Sequence, residues 1–128
     1  REKLVKLAGD STKIISSIHY EQSPGSPDEI IEEIDEISDS GNIIKIVFNT
    51  GGKKDALKLF DVAWRTRDSD NKLSIMGLGA GGDWTRIHAP LLNQSLVYTT
   101  MENGWYLAQQ GRINTSDLKT AWKLLEYN

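Results

Sequence analysis

The sequence predicts an α/β fold in which the strands of a parallel sheet alternate with helices. Short runs rich in β-branched and apolar residues recur along the 128 residues, and segments with apolar residues at helical spacing separate them. Residues 42–48 form the clearest strand, because the run is almost continuously apolar, as expected for a parallel strand buried on both faces. The alternation fits either an open doubly wound sheet or half of an eight-stranded barrel, and periodicity alone does not choose between them.

The N-terminal half is predicted to contain the end of a helix, a strand and a complete helix. Apolar residues at helical spacing near the N terminus predict the helix end, and residues 13–18 predict the strand. Ser26 is placed to cap the next helix, because Pro27 favours the first helical position and Glu29 completes a capping box. Gly41 is predicted to end this helix.

The C-terminal half continues the alternation beyond the clearest strand. Apolar residues between positions 56 and 64 predict a helix, and residues 72–77 predict a third strand. A short helix is predicted at residues 85–92, and a fourth strand at residues 95–100. Asn114 is placed to cap a last helix. The residues predicted to face inward from that helix are Leu118, Ala121, Trp122 and Leu125.

Composition argues against several classes of protein and of site. The net charge of −3 does not favour binding to nucleic acid or acidic lipid, and no apolar run approaches the ~20 residues of a membrane span. The absence of cysteine excludes disulfides, thiolate nucleophiles and sulfur ligands for metals. No signal peptide is recognised, so the expected location is the cytoplasm. The first residue is Arg1 rather than Met, and we expect the sequence to be part of a longer chain.

Lys45 is the most informative polar residue, because it lies inside the apolar strand at residues 42–48. A lysine is rarely buried without a partner. Burial among aliphatic side chains lowers the pKa of an amine, since the charged form loses hydration. A neutral amine can attack a carbonyl and form a Schiff base. The alternative is that Lys45 lies near a strand end and extends its ammonium group to water.

His19 ends the first predicted strand, directly after Ser16, Ser17 and Ile18, and the carboxyl ends of parallel strands line active sites. A histidine at this place can move protons near neutral pH, or it can be a loop residue bonded to the backbone. Because His19 and Lys45 belong to consecutive strands, we expect their side chains to meet.

Arg86 follows the third predicted strand, where a guanidinium can grip a carboxylate through two parallel hydrogen bonds. It also fits a solvated helix arginine, and His88 in the same helix is expected to be structural. Gly77, Gly79 and Gly82 match G-x-G-x-x-G only in part and lack the lysine and hydroxyl of a phosphate loop. No cluster of His, Asp and Glu has the spacing of metal ligands, so no metal is expected. The partial glycine match has no confirming acidic residue, so no dinucleotide cofactor is expected.

Several segments together resemble type I 3-dehydroquinase. Residues 14–20 resemble the family's strand that ends in a catalytic histidine, and residues 42–46 resemble its D-I-x-K-I strand with the Schiff-base lysine. Residues 76–86 resemble the segment M-S-M-G-x-x-G-x-x-S-R, whose arginine binds the substrate carboxylate. Residues 111–118 resemble the lid segment P-G-Q-I and the closing helix. The segments occur in the family's order at close to its spacings, and they span nearly the whole chain.

The resemblance implies a (β/α)8 TIM barrel in which residues 1–128 supply about strands five to eight. The missing first half would come from a longer chain or a second chain, and we expect a homodimer. The implied activity is that of a shikimate-pathway hydro-lyase, which dehydrates 3-dehydroquinate to 3-dehydroshikimate in aromatic amino acid biosynthesis. The resemblance assigns the imine-forming nucleophile to Lys45 and its acid/base partner to His19. The substrate-binding residues that it implies are Met76, Arg86 and Arg112.

The lid departs from the family pattern. The family's S-A-P-G-Q becomes residues 108–112, so that Ala108 lacks the serine hydroxyl and Arg112 replaces the glutamine. Arg112 can still hold an anion or a hydroxyl, but it is longer and always charged. These changes leave two alternatives open. One is a non-catalytic ligand-sensing or scaffold domain, like the dehydroquinase-like domain of fungal quinate repressors. The other is another Schiff-base lyase, such as a class I aldolase that acts on a different keto acid.

Overall fold

The computed structural model describes residues 12–37, 42–101 and 113–127. Within these ranges the helices and strands are β1 Ile15–Tyr20, α1 Pro27–Ile37, β2 Ile43–Thr50, α2 Lys53–Arg65, β3 Lys72–Gly79, α3 Trp84–Ile87 and α4 Thr115–Leu124. The described strands form one sheet of order β1-β2-β3, in which both pairings are parallel. The predicted α/β fold with a parallel sheet is therefore confirmed.

One face of the sheet packs against helices α1 and α2. Ile44 and Ile46 of β2 lie in one buried cluster with Ile34 of α1 and Leu59 of α2. Because successive side chains of a strand point to opposite faces, Lys45 projects from the other face. The central strand thus separates an apolar core on one side from a polar group on the other.

The strands extend further toward their carboxyl ends than the sequence predicted. β1 ends at Tyr20, β2 at Thr50 and β3 at Gly79. The polar and glycine residues there are typical of turns, but they continue the parallel ladder, in which Thr50 lies opposite Gly79. His19 lies opposite Val47 of β2, one residue before the end of β1.

Helix α1 begins as predicted. The Ser26 hydroxyl oxygen accepts a hydrogen bond from the backbone N–H of Glu29 at 3.2 Å, and Pro27 is the first helical residue. The capping serine therefore satisfies one of the backbone donors that every helix leaves unpaired at its start. The predicted stop at Gly41 and the predicted helix end before residue 12 lie outside the described residues.

The prediction of a fourth strand at residues 95–100 is wrong. This segment follows β3 but forms only one isolated bridge, between Thr100 and Asn114. One backbone hydrogen bond, from the N–H of Ser95 to the carbonyl of Leu73 at 2.8 Å, and two side-chain hydrogen bonds take the place of a regular ladder at the edge of β3. The backbone N–H of Ile75 donates to the side-chain oxygen of Gln94 at 2.7 Å, and the hydroxyl of Ser74 donates to the carbonyl of Leu96 at 2.6 Å.

The two helices nearest the C terminus differ in how well they were predicted. α3 is shorter than predicted, since the chain continues from Ile87 in turns rather than in a helix. α4 begins as predicted, because the side chain of Asn114 accepts from the backbone N–H of Asp117 at 2.8 Å. Leu118 is buried, but Leu125 follows the last residue of α4 and is 43% exposed, so its inward placement is wrong. Among the described helices, none is long and apolar enough to cross a membrane.

Candidate active site

Lys45 and His19 meet on the face of the sheet opposite α1 and α2. Lys45 lies opposite Ser17 and His19 lies opposite Val47, so both side chains project from the same face. The Nζ atom of Lys45 lies 3.4 Å from Nε2 of His19, and the tautomer of the imidazole sets which nitrogen donates. The structure therefore brings together the two residues that the sequence singled out.

The amine of Lys45 is held in a mostly apolar environment. The residue is only 7% exposed, so its amine does not extend into bulk solvent. Burial is the main cause that lowers the pKa of Lys45 below its usual value, and the positive charge of Arg86 lowers it further. Both causes increase the fraction of neutral amine, which is the form that attacks a carbonyl.

Tyr98 forms one wall of this environment and was not singled out from the sequence. The Lys45 Nζ atom lies over its ring, 4.1 Å from the centroid. The face of an aromatic ring attracts a cation, so this contact favours the ammonium form and opposes the effect of burial. The backbone carbonyl of Tyr98 also accepts a hydrogen bond from Nε of Arg86 at 3.1 Å. The signal in the sequence that could have pointed to Tyr98 was an aromatic residue in the segment after the third strand.

Arg86 is buried beside the lysine, with 4% of its surface exposed. Its Nη1 atom donates to the carbonyl of Gly77 at 2.9 Å, to the carbonyl of Gly82 at 2.8 Å and to Oδ1 of Asp83 at 3.1 Å. The sequence left open a solvated helix arginine, and this burial is inconsistent with it. The guanidinium is instead held in a fixed orientation at the carboxyl end of β3.

A pocket of about 190 Å³ connects these groups. Its lining comes from all the described strands and from the segment that follows β3, and consists of His19, Lys45, Val47, Met76, Leu78, Arg86, Tyr98, Thr99 and Thr100. Met76 therefore lies at the pocket, as the sequence suggested. The side chains offer an amine, an imidazole and a guanidinium against apolar walls, which suits a small molecule with a carbonyl and an anionic group. Arg112 lies outside the described residues.

The glycines after the third strand serve close packing. A β-carbon at Gly82 would lie 2.5 Å from the carbonyl oxygen of Gly77, and Gly79 has a positive φ of 110°. The backbone N–H of Gly77 donates to the carbonyl of Gly82 at 3.2 Å, so the turn folds back on the strand. This turn places two backbone carbonyls against Arg86, and it gives the glycines a role that involves no phosphate.

His88 lies away from the pocket. Its Nδ1 atom is 2.8 Å from the hydroxyl of Tyr127, and its ring packs edge-on against Phe60. Burial lowers the pKa of His88. These contacts agree with the structural role expected from the sequence.

Within the ranges that the structure describes, no group of three or more His, Cys, Asp or Glu side chains could hold a metal ion.

The parallel sheet and its pocket define an α/β protein with an amine, an imidazole and a guanidinium on the face that α1 and α2 leave uncovered. The family model for type I 3-dehydroquinase matches residues 1–128, and the chain belongs to that family. The resemblance recognised from the sequence is thus confirmed.

Curated relatives are named 3-dehydroquinate dehydratase and are longer than this chain. The 3-dehydroquinate dehydratase of Methanosarcina acetivorans is 28% identical over 129 residues, which cover 98% of this chain and 52% of that protein. The enzyme of the same name from Methanococcus maripaludis is 30% identical over 118 residues, covering 91% of this chain and 51% of its own length. The chain spans about half the length of the curated relatives it matches.

Solved structures show the same fold. The crystal structure of 3-dehydroquinate dehydratase from Geobacillus kaustophilus superimposes with a TM-score of 0.75 at 18% identity, covering 91% of this chain and 45% of that one. A type I 3-dehydroquinate dehydratase from Clostridium difficile with covalently modified comenic acid also gives a TM-score of 0.75, at 19% identity. It covers 89% of this chain and 45% of that chain. At these identities the likeness shows the fold alone.

Proposed function

We propose that the protein acts as a type I 3-dehydroquinate dehydratase, a hydro-lyase that converts 3-dehydroquinate to 3-dehydroshikimate in the shikimate pathway. The observation that carries this proposal is the buried amine of Lys45, 3.4 Å from the imidazole of His19. Membership of the type I 3-dehydroquinase family and the names of the curated relatives support it. Function in the cytoplasm is part of the proposal.

The proposed reaction begins when the neutral amine of Lys45 adds to the ketone carbon of the substrate. His19 donates a proton to the departing oxygen, which leaves as water, and a protonated imine remains. The imine draws electrons from the neighbouring carbon, so His19 can remove its proton and leave an enamine. The enamine expels the hydroxyl group from the next carbon, which leaves as water with the proton that His19 returns. Hydrolysis of the imine then releases the product and restores the amine.

Arg86 is proposed to bind the substrate carboxylate. It lines the pocket together with Lys45 and Met76, so a ligand bonded to the lysine is within the same cavity. A buried guanidinium attracts a carboxylate more strongly than an exposed one, because less water competes for it. Met76 would supply an apolar wall for the substrate ring, and Arg112 would add a further cation. The proposed steps require no metal and no diffusible cofactor.

We propose that this chain forms about strands five to eight of a (β/α)8 barrel. Among the described strands, β1 pairs with β2 alone, and its outer edge has no strand partner. The outer edge of β3 is bonded to residues 94–96 instead. The open edge of β1 favours pairing with a further strand. A preceding half of the same polypeptide, or a second chain, would cover it and complete the wall of the pocket. A homodimer of the complete protein is part of this proposal, and analytical ultracentrifugation would test it.

Borohydride trapping tests the imine directly. The complete protein that carries these residues is incubated with 3-dehydroquinate and sodium borohydride, and peptides are examined by mass spectrometry. We expect a stable adduct of reduced substrate on Lys45. The adduct should disappear in Lys45→Met and persist in Lys72→Met, which removes an exposed lysine of the same sheet.

Turnover and binding separate the enzyme from its alternatives. Formation of 3-dehydroshikimate, measured by its ultraviolet absorbance, supports the dehydratase. Absence of the Lys45 adduct in a folded complete protein contradicts the proposal. Binding of 3-dehydroquinate without turnover contradicts it in favour of a ligand-sensing domain. Trapping of a different keto acid with carbon–carbon cleavage contradicts it in favour of an aldolase.

A further inference from the structure

Asp83 occupies a position where an aspartate ordinarily caps a helix, but its carboxylate accepts hydrogen bonds from other parts of the chain. It is the residue before α3, and its side chain makes no capping hydrogen bond. Its Oδ1 atom accepts from Nη1 of Arg86 at 3.1 Å and from the backbone N–H of Ile113 at 2.9 Å. One carboxylate oxygen therefore connects the arginine of the pocket to a distant part of the chain.

The ion pair between Asp83 and Arg86 is shielded from water. The Arg86 side chain is 4% exposed and the Asp83 side chain 16% exposed. A charge pair in such surroundings is screened far less than one at the surface. The carboxylate therefore offsets part of the positive charge that the pocket presents to a ligand, and it opposes movement of the guanidinium.

The contact with Ile113 extends this arrangement to another wall of the pocket. The carbonyl of Ile113 accepts from the backbone N–H of Thr100 at 3.1 Å, and Thr100 lines the pocket. Asp83 is thus bonded to Arg86 on one side and, through Ile113, to Thr100 on the other. Movement of Asp83 would disturb both walls.

We propose that Asp83 is a positioning residue for Arg86, and that its carboxylate holds the guanidinium in place and reduces the affinity of the pocket for anions. The inference rests on the proposed function, because it takes Arg86 to bind the carboxylate of the substrate. It adds to that function a residue that tunes binding without touching the ligand.

Two substitutions separate the effect of charge from the effect of position. Asp83→Asn keeps an oxygen that can accept from Arg86 and Ile113 but removes the negative charge. We expect this variant to bind a carboxylate on the order of threefold to tenfold more tightly, because the guanidinium is no longer partly neutralised. Asp83→Ala removes the acceptor as well, and a displaced guanidinium should bind on the order of tenfold more weakly.

The probe is quinate, which has the carboxylate and ring of the proposed substrate but no ketone to form an imine. Its dissociation constant is measured by calorimetry on the complete protein and on both variants. Asp61→Asn is the matched control, because it removes one negative charge on α2 from a carboxylate that is 49% exposed. We expect this control to leave the affinity unchanged. With 3-dehydroquinate, the Asn variant should lower KM with little change in kcat.

Nuclear magnetic resonance supplies a readout that does not depend on activity. The Nε–H signal of Arg86, assigned by its loss in Arg86→Lys, should exchange slowly with water in the unaltered protein and in Asp83→Asn. In Asp83→Ala it should exchange at least about tenfold faster, since the guanidinium has lost an anchor.

The outcomes distinguish this inference from the proposed function. Equal exchange rates of the Arg86 signal in the Ala variant and the unaltered protein overturn the positioning role. Weaker quinate binding in the Asn variant overturns the role of the charge. If exchange behaves as expected but no form of the protein dehydrates 3-dehydroquinate, the positioning role stands and the proposed function fails.

Discussion

The ammonium group of Lys45 lies over the ring of Tyr98, 4.1 Å from its centroid, while burial of the same amine lowers its pKa. The two influences have opposite signs. The ring attracts the charged form, and the loss of hydration disfavours it. The proton affinity of the amine is therefore set by an aromatic wall as well as by its apolar surroundings.

Replacement of this wall should make the amine easier to deprotonate. We expect Tyr98→Leu to lower the pKa of Lys45, because it keeps an apolar neighbour but removes about 0.5–1 kcal/mol of cation–ring attraction. Tyr98→Phe is the control and should leave the pKa unchanged. The pKa is measured from the pH dependence of ¹³C shifts of labelled lysine. A higher pKa in the Leu variant would show that the ring acts chiefly by excluding water.

The lowered pKa of Lys45 also predicts how stability depends on pH. The folded protein binds the lysine proton less tightly than the unfolded chain does, so the charged amine destabilises the fold at every pH below its folded pKa. This cost fades as pH rises from the folded pKa to the unfolded value near 10.5. We therefore expect the free energy of unfolding of Lys45→Met, minus that of the unaltered protein, to fall between pH 7 and pH 10.5.

Urea denaturation at several pH values measures this difference. Lys72→Met, at an exposed lysine of β3, serves as the control and should give a difference that varies little with pH. A difference for Lys45→Met that rises with pH would mean that the folded state prefers the charged amine.

Close backbone packing at Gly82 should make this position intolerant of a side chain. In Gly82→Ala the new β-carbon would lie 2.5 Å from the carbonyl oxygen of Gly77, so backbone must move. We expect a loss of about 1–3 kcal/mol in the free energy of unfolding, as is typical of overpacking. The movement should also displace two carbonyls that accept from Arg86, and so weaken binding of carboxylates.

Gly52→Ala provides the matched control. No heavy atom lies within 4 Å of a β-carbon built at Gly52, and its φ of 174° is extended backbone that any residue adopts. Its stability should therefore change by less than about 1 kcal/mol. Similar losses in the two variants, measured by chemical denaturation, would show that the close approach at Gly82 relaxes at little cost.

The cap of α1 offers a test that is independent of the pocket. Ser26→Ala removes the acceptor for the backbone N–H of Glu29 and should lower the free energy of unfolding by about 1 kcal/mol. Ser26→Gly should cost only a few tenths of a kcal/mol, because glycine is itself a tolerated cap. Equal losses in both variants would indicate that the hydroxyl contributes through contacts other than capping.

Helix caps and the pairing of consecutive strands were predicted well. The caps at Ser26 and Asn114 involve backbone donors only three residues away, so short-range chemistry decides them. The pairing of Lys45 with His19 was predictable because the two residues lie on consecutive parallel strands. The expectation that both lie near the carboxyl ends is wrong for Lys45, which is the third residue of β2. Alternation of side chains then brings both residues to one face.

Features that depend on contacts between distant segments were not predicted. Residues 95–100 have the composition of a strand, but Gln94 supplies the acceptor for Ile75 in place of a backbone carbonyl. The role of Tyr98 depends on the path of that segment past Lys45. Asp83 was not singled out from the sequence, because its bond to Ile113 joins two distant segments of the chain.

Because Lys45 lies between Ile44 and Ile46, the register of β2 determines both the apolar core and the pocket. Insertion or deletion of a single residue upstream in β2 would exchange the two faces of the strand. The amine of Lys45 would then lie in the apolar core beneath α1 and α2, and an isoleucine would replace it beside the imidazole of His19. An insertion or deletion of this kind would disrupt the apolar core and the pocket together. During evolution this strand can therefore accept substitutions more readily than changes in its length.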